Sequence, residues 1–159
     1  MSTQEISAVA PAIPDGARIR FLRAHAALTR ELSARLEALH ELTLSDFDVL
    51  VQLYYAEGLR MRRIDLARSV LLTASGITRL LDGLESEGLV AKDRCDSDAR
   101  VTYAVLTKAG VKKIEDARDS HLADIEELFG SRFSPEEREQ LAELLGRLPL
   151  AHTAEACST

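Results

Sequence analysis

The sequence predicts a mainly α-helical fold with a small β-hairpin inserted after the fourth of six helices. Apolar residues recur at helical spacing before residue 88 and again after residue 107. Between these regions the pattern alternates with a period of two, which is typical of strands. Two short helices at a tight turn precede the alternating region. This order is typical of a winged helix-turn-helix, with long helices on either side of it.

A chain of 159 residues with 46% hydrophobic and 29% charged residues predicts one folded domain, which we place at residues 17–148. Residues 1–16 and 149–159 are expected to be a mobile arm and a mobile tail. No apolar run approaches the roughly 20 residues of a membrane helix, and the N-terminal segment has no basic start typical of a secretion signal. Cys95 and Cys157 form no C-x-x-C pattern, which favours a cytoplasmic location.

The first two helices are predicted at residues 17–40 and 46–56. The first contains neither Gly nor Pro and carries leucines spaced by four, four and three residues, namely Leu28, Leu32, Leu36 and Leu39. Ser45 is the expected N-cap of the second helix, and Gly58 is expected to stop it.

Two short helices follow. The run R-R-I-D-L-A-R-S-V predicts about two turns, with an apolar set of Ile64, Leu66, Ala67 and Val70. Thr73 is expected to cap the next helix, residues 73–87, which ends at Gly88. One face of this helix is apolar at the i, i+3, i+4, i+7 spacing and is formed by Ile77, Leu80, Leu81 and Leu84.

The hairpin and the last two helices complete the pattern. L-V-A-K-D-R and R-V-T-Y-A-V-L predict two strands joined by the polar turn C-D-S-D-A. Thr107 is expected to cap a helix over residues 108–129, with an apolar stripe of Val111, Ile114, Leu122, Ile125 and Leu128. Ser134 and Glu137 form a capping-box pattern with Pro135 at the first helical position, so a final helix begins there.

Charge is distributed unevenly along the chain. The net charge is −6, but residues 60–113 hold eleven Lys or Arg against seven Asp or Glu, a net charge of +4 that leaves −10 for the rest. A basic middle third between acidic ends favours a polyanion as the partner of the middle alone.

The outward face of the helix at residues 73–87 has the composition of a surface that reads DNA. Ser75 and Thr78 are short and carry hydroxyl groups, and Arg79 can form paired hydrogen bonds with a guanine in the major groove. The positive helix end near Thr73 and Ala74 favours a backbone phosphate. Asp82 would repel phosphate, so we expect it to pair with a neighbouring Arg or to read a cytosine amino group.

The hairpin is expected to bind the adjacent minor groove. Arg94 and Arg100 flank its tip, and arginines suit the concentrated negative potential of a narrow minor groove. Asp98 could orient Arg100 by a hydrogen bond across the tip. A solvated turn without a partner is the alternative interpretation.

The run D-L-A-R-S-V-L-L-T-A-S-G-I-T-R-L-L-D-G-L-E-S-E-G-L-V, followed by D-S-D-A-R-V-T-Y-A-V-L-T-K-A-G, resembles the MarR family of bacterial transcriptional regulators. The resemblance covers about residues 17–148. It implies a homodimer on a pseudo-palindromic double-stranded DNA operator, dimerisation helices at about 17–40 and 108–148, and a winged helix-turn-helix at about 45–107. It also implies recognition by the helix at 73–87 and a wing motif at Asp98 and Arg100. Ala99 departs from the family, in which many members carry a second arginine or another polar residue there.

Leucines near both ends of the domain would form the dimer seam that the resemblance implies. The first helix contributes Leu28, Leu32, Leu36 and Leu39, and the last helix contributes Leu141, Leu144, Leu145 and Leu148. Packing of both stripes within one subunit is the alternative.

The resemblance also implies a repressor released by a small aromatic or anionic ligand. The expected crevice is lined by Arg23 and His25 on the first helix and by Tyr54 and Tyr55 on the second. Two alternatives remain open: a redox-responsive regulator acting through Cys95, and a winged helix that binds protein rather than DNA. The sequence has no catalytic motif and no clustered histidines, so we expect neither an enzyme, a metal site nor a cofactor.

Overall fold

A computed structural model describes residues 16–70, 74–95, 97–98 and 100–148, with Ala74 and Ser75 described by their backbone only. Within these residues no helix is both long enough and apolar enough to cross a membrane. The fold is mainly helical with one small antiparallel sheet, as the sequence predicts. The helices are α1 (Gly16–His40), α2 (Leu44–Tyr55), α3 (Arg63–Ser69), α4 (Ala74–Ser86), α5 (Lys108–Leu128) and α6 (Pro135–Gly146), and the strands are β1 (Arg60–Arg62), β2 (Val90–Arg94) and β3 (Thr102–Leu106).

One aliphatic core joins α2, α3, α4 and the sheet. Leucines from the three helices are almost completely removed from solvent, because each helix turns its apolar stripe toward the same centre. The buried leucines of this core include Leu50, Leu53, Leu66, Leu81, Leu84 and Leu106. Full burial of each such side chain contributes roughly 1.5 to 3 kcal/mol.

The sheet has three strands in the order β1-β3-β2, so the prediction of a two-stranded hairpin was incomplete. In β1, Met61 pairs with Ala104, while Val90 of β2 pairs with Leu106. The strand β1 has only three residues, and two of them are exposed arginines, so its sequence carries no strand pattern. Its formation depends on pairing with β3, which follows only after α3, α4 and β2 in the chain.

The start and end of α2 also differ from the prediction. Thr43, not Ser45, is the N-cap: its hydroxyl accepts the N–H of Asp46 at 3.1 Å, and the Asp46 carboxylate accepts the N–H of Thr43 at 2.9 Å. This reciprocal pair satisfies two donors that a cap at Ser45 would leave open. The helix ends at Tyr55, before Gly58, which lies in a short 3₁₀ turn with φ 67°. The caps predicted at Thr107 and Ser134 are confirmed, and that at Thr73 lies outside the described residues.

The long helices α1 and α5 pack side by side. Leu32 and Leu36 of α1 are buried, and Arg35 donates hydrogen bonds to Asp124 at 2.7 Å and to Glu127 at 3.0 Å on α5. These carboxylates raise the pKa of Arg35 above its usual range, with Glu127 the larger cause. The helices α1 and α5 therefore pack together within one subunit, and Leu32 and Leu36, which were predicted for the dimer seam, are already covered there.

Several apolar residues predicted to be covered are exposed in the single chain. Leu39 and Leu122 are more than half exposed, and α6 contains no buried residue at all. Ile64, predicted in the apolar set of α3, is 59% exposed because it faces a surface cleft.

His121 is a buried histidine between α5 and the core. Its side chain is 5% exposed, its ring centroid lies 4.3 Å from that of Phe47 on α2, and its Nδ1 has no hydrogen-bond partner in the described part of the chain. Burial lowers the pKa of His121, and the nearby carboxylate of Asp124 opposes this shift only in part. The folded state therefore favours the neutral ring.

The pKa of His121 predicts a loss of stability in mild acid. The unfolded ring binds a proton at about pH 6.5, whereas the folded ring does so only at lower pH, so protons favour unfolding as the pH falls below about 6.5. We expect the free energy of unfolding, measured with urea between pH 8 and pH 5, to fall less steeply in His121→Phe than in the wild type. His25→Phe, a change at an exposed histidine, should follow the wild type. Parallel curves for all three proteins would contradict the prediction.

Candidate nucleic-acid interface

The helix α4 has two faces with different environments. Ile77, Leu81 and Leu84 are between 1% and 3% exposed and hold the helix to the core. Thr78 and Arg79 lie on the opposite side and are exposed. The backbone at Ala74 and Ser75 belongs to the first turn of α4, although their side chains, like Thr73, lie outside what the structure describes. The exposed polar face thus includes the second turn of the helix.

Two acids in the second half of α4 share one lysine of the neighbouring strand. Lys92 of β2 lies 2.9 Å from Asp82 Oδ1 and 2.8 Å from Glu85 Oε2, and its pKa is raised by these two carboxylates, Glu85 first. The prediction for Asp82 was an arginine partner or a cytosine contact; in the structure its partner is a lysine. Both carboxylates lie toward β2. The first turns of α4 therefore carry no acidic side chain.

The wing, which is the hairpin of β2 and β3, has several hydrogen bonds at its tip. The Asp98 carboxylate accepts the backbone N–H of Arg100 at 2.9 Å, and the N–H of Val101 donates to the Asp98 carbonyl at 3.0 Å. Asp98 therefore fixes the backbone around Arg100, whereas the sequence had suggested that it orients the Arg100 side chain. The side chains of Arg94 and Arg100 are exposed on the two sides of the tip. Asp96 and Ala99 lie outside the described residues.

Cys95 occupies the same tip. Its thiol lies 3.1 Å from the Ser97 hydroxyl, and this hydrogen bond, with those from the backbone at Ser97 and Asp98, lowers the pKa of Cys95 below that of an ordinary thiol. In the ranges described, no group of three or more His, Cys, Asp or Glu side chains could hold a metal ion.

A cleft of about 410 Å³ separates α4 from the wing. Its lining combines basic and hydroxyl-bearing side chains with apolar ones. The lining residues are Arg62, Arg63, Ile64, Ala67, Ile77, Thr78, Arg100, Val101 and Thr102. From the sequence, Arg62 and Arg63 could be counted only as part of the net charge of residues 60–113. The sequence does not show that they lie beside Thr78 and Arg100. The dense run of arginines at positions 60, 62 and 63 was the only available signal.

The four residues predicted to bind a ligand are not all together in the single chain. Tyr54 and Tyr55 are in edge-on contact, with ring centroids 5.2 Å apart, and Tyr55 lines a cavity of about 200 Å³ with Val51, Gln52, Ala56 and Met61. Arg23 and His25 do not line this cavity. Both are exposed on α1, where the His25 ring lies 6.4 Å from that of Phe21.

Two charged residues on α5 accompany the tyrosine pair. The hydroxyl group of Tyr54 donates to Glu115 at 3.1 Å, which raises the pKa of Tyr54. Arg118 interacts with Tyr55, which raises the pKa of Arg118. Its buried Nε lies 3.6 Å from Asp119 Oδ1 but has no hydrogen-bond acceptor among the described residues. Arg118 was missed from the sequence, since only the packing of α2 on α5 places it there.

Comparison with known proteins agrees with this geometry. Residues 42–102 match the model of the MarR family. The HTH-type transcriptional regulator MhqR of Bacillus subtilis is 33% identical over 111 residues, 70% of this chain and 74% of its own length. The solved structure of AbsC, a MarR family transcriptional regulator from Streptomyces coelicolor, is 31% identical with a TM-score of 0.78, covering 81% of this chain and 86% of that one. The Staphylococcus aureus MepR–DNA complex is 25% identical with a TM-score of 0.72, covering 83% and 98%. The chain therefore belongs to the MarR family of DNA-binding transcriptional regulators.

Proposed function

We propose that this protein is a homodimeric, sequence-specific repressor that places two copies of α4 in successive major grooves and is released by a small aromatic or anionic ligand. Because a dimer has two-fold symmetry, its operator is a pseudo-palindrome, with half-sites about one helical turn apart. Bound at a promoter, the dimer would block transcription by occupying the site.

The observation that carries the proposal is the polar face of α4 beside a basic wing. A major groove about 12 Å wide admits one helix, whose outward side chains must approach base edges closely. Thr78 is short, and Arg79 has the donors to read a guanine, whereas the carboxylates of Asp82 and Glu85 are held against Lys92. Arg94 and Arg100 on the wing tip have the length and charge to enter the minor groove.

Substitution of Arg79 tests base reading. If Arg79 reads a guanine, Arg79→Ala should cost about 1 to 3 kcal/mol of operator affinity and relax specificity at that base. A gel-shift titration with the protein's own upstream DNA, and with variants of each base pair, measures both effects. Arg132→Ala is the control, because Arg132 follows the far end of α5, about 30 Å along that helix from the wing.

Two outcomes would change the assignment. An equal loss of affinity for Arg79→Ala on every sequence would make Arg79 a phosphate contact instead of a base contact. If the wild type shifts no DNA of any sequence, the wing and α4 would instead serve as a protein-binding module.

The dimer is supported by apolar surface at both ends of the domain. Ile19, Phe21 and Leu22 on α1 are each 40% exposed or more, and so are Leu144 and Leu148 at the other end. So many exposed large apolar side chains are unusual on a monomer. A second copy of the chain would cover it, since a two-fold interface buries the same patch on both partners.

A charge within this apolar surface should separate the subunits. Leu144→Asp is expected to convert the dimer to monomer in sedimentation-velocity measurements at micromolar concentration, because an unpaired carboxylate would be buried at the interface. Ala142→Asp adds the same charge at an exposed position two residues earlier, on the opposite side of α6, and should remain dimeric. If neither variant dissociates, the dimer interface lies elsewhere.

We place the effector between α2 and the long helices, beside Tyr54 and Tyr55. The tyrosines offer aromatic surface, and Arg118 offers a guanidinium whose Nε lies 3.6 Å from Asp119 Oδ1 without a hydrogen bond, so this group can turn to a carboxylate or phenolate. Arg23 and His25 remain candidates, because α1 of a second subunit could bring them to this site.

Calorimetry with benzoate tests the effector site. We expect benzoate to bind the wild type and to lower its operator affinity, while acetate, an anion without a ring, does neither. Tyr55→Ala should weaken benzoate binding about 2- to 10-fold, because the variant has no ring at this position to pack against benzoate. Absence of heat with benzoate, together with unchanged operator binding, would count against this class of effector.

A further inference from the structure

We propose that the cleft between α3, α4 and the wing binds a backbone phosphate of the operator, and that Arg63 is its main ligand. The inference rests on the proposed function, because it assigns to DNA binding a residue beyond α4 and the wing tip.

The two DNA-reading elements set the path of one DNA strand. A helix in the major groove and a wing in the adjacent minor groove lie on opposite sides of one sugar-phosphate strand, because this strand is the wall between the two grooves. The cleft lies between these two elements, with Thr78 of α4 on one side and Arg100 of the wing on the other. If α4 and the wing occupy their grooves, the intervening strand must cross the mouth of the cleft.

The charged residues that line the cleft are all basic within the described part of the chain. Arg62, Arg63 and Arg100 belong to the lining, to which no described Asp or Glu contributes. Arg62 donates to Asp65, which lies outside the lining, at 2.6 Å, and this ion pair offsets part of its charge. Arg100 is exposed, with its backbone held by Asp98. The cleft is therefore suited to an anion.

Arg63 carries an unsatisfied donor. Its Nη2 is buried and has no hydrogen-bond acceptor within the described part of the chain. A buried donor without an acceptor is costly, and phosphate oxygens accept hydrogen bonds from a guanidinium with particular strength. A small turn of the Arg63 side chain toward the cleft would satisfy this group when a phosphate arrives. The strand path, the basic lining and this donor together assign Arg63 to the phosphate.

The matched substitutions are Arg63→Gln and Arg68→Gln. Both residues lie on α3, but Arg68 is exposed and does not line the cleft. Thermal unfolding first establishes that both variants fold. We expect Arg63→Gln to weaken binding about tenfold or more, equally for the operator and for unrelated duplex DNA, and Arg68→Gln to bind like the wild type. The slope of log affinity against log salt should become shallower by about 0.9 for each phosphate that is no longer bound, or about 1.8 for a dimer.

Neutral phosphates locate the contact. In operators carrying one methylphosphonate at a time along the strand between the α4 site and the wing site, one position should weaken the wild type and leave Arg63→Gln unaffected. If every position weakens both proteins equally, or if Arg63→Gln matches Arg68→Gln while Arg79→Ala still binds the operator more weakly, the inference is wrong and the proposed function stands. If the wild type binds no DNA, both are wrong.

Free anions provide the last comparison. Inorganic phosphate should inhibit operator binding no more than sodium chloride at equal ionic strength, because the cleft is matched to a strand held by the two reading elements. Stronger inhibition by phosphate that disappears in Arg63→Gln would identify a free anion as the occupant and overturn the assignment to DNA.

Discussion

The structure depends on the burial of one face of α4. Ile77, Leu81 and Leu84 are almost completely removed from water, and they meet leucines of α2 and α3 in a single core. This packing fixes the rotation of α4 about its axis, so Thr78 and Arg79 must face outward. Turning the helix to bury the polar face would expose three large aliphatic side chains, at roughly 1.5 to 3 kcal/mol each.

A second constraint joins α4 and the wing to the long helix α5. The Thr107 hydroxyl donates to the Gly88 carbonyl at 2.7 Å and accepts the N–H of Gly110 at 3.1 Å, so it connects the chain just after α4 to the start of α5. A side chain at Gly110 would place its Cβ 2.2 Å from the Leu89 carbonyl oxygen, so only glycine fits this contact. This junction therefore joins the start of α5 to the chain between α4 and the wing. The tyrosine pair and His121 also lie along the contact between α2 and α5. A ligand bound there, or a proton on His121, would alter the packing of α5 on α2.

Acidic and basic side chains occupy different parts of the surface. The acids of α4 are held by Lys92, and Asp124 and Glu127 of α5 by Arg35, whereas arginines line the cleft and the wing. An acidic protein can thus present a basic surface to DNA, because the balance that matters is local. Long-range repulsion from the acidic parts is reduced by screening, since charges more than about 8 Å apart interact weakly at physiological salt.

The sequence alone determined the order of the helices, the caps at Thr107 and Ser134 and the amphipathic character of α4, because these follow from residues close together in the chain. It also identified the family through the local pattern of the reading helix and the wing. It could not determine β1, whose strand conformation comes from pairing with β3, or the neighbours of Arg63, Lys92 and Arg118. Those contacts join residues far apart in sequence, and which side chain meets which is decided only when helices and strands pack in three dimensions.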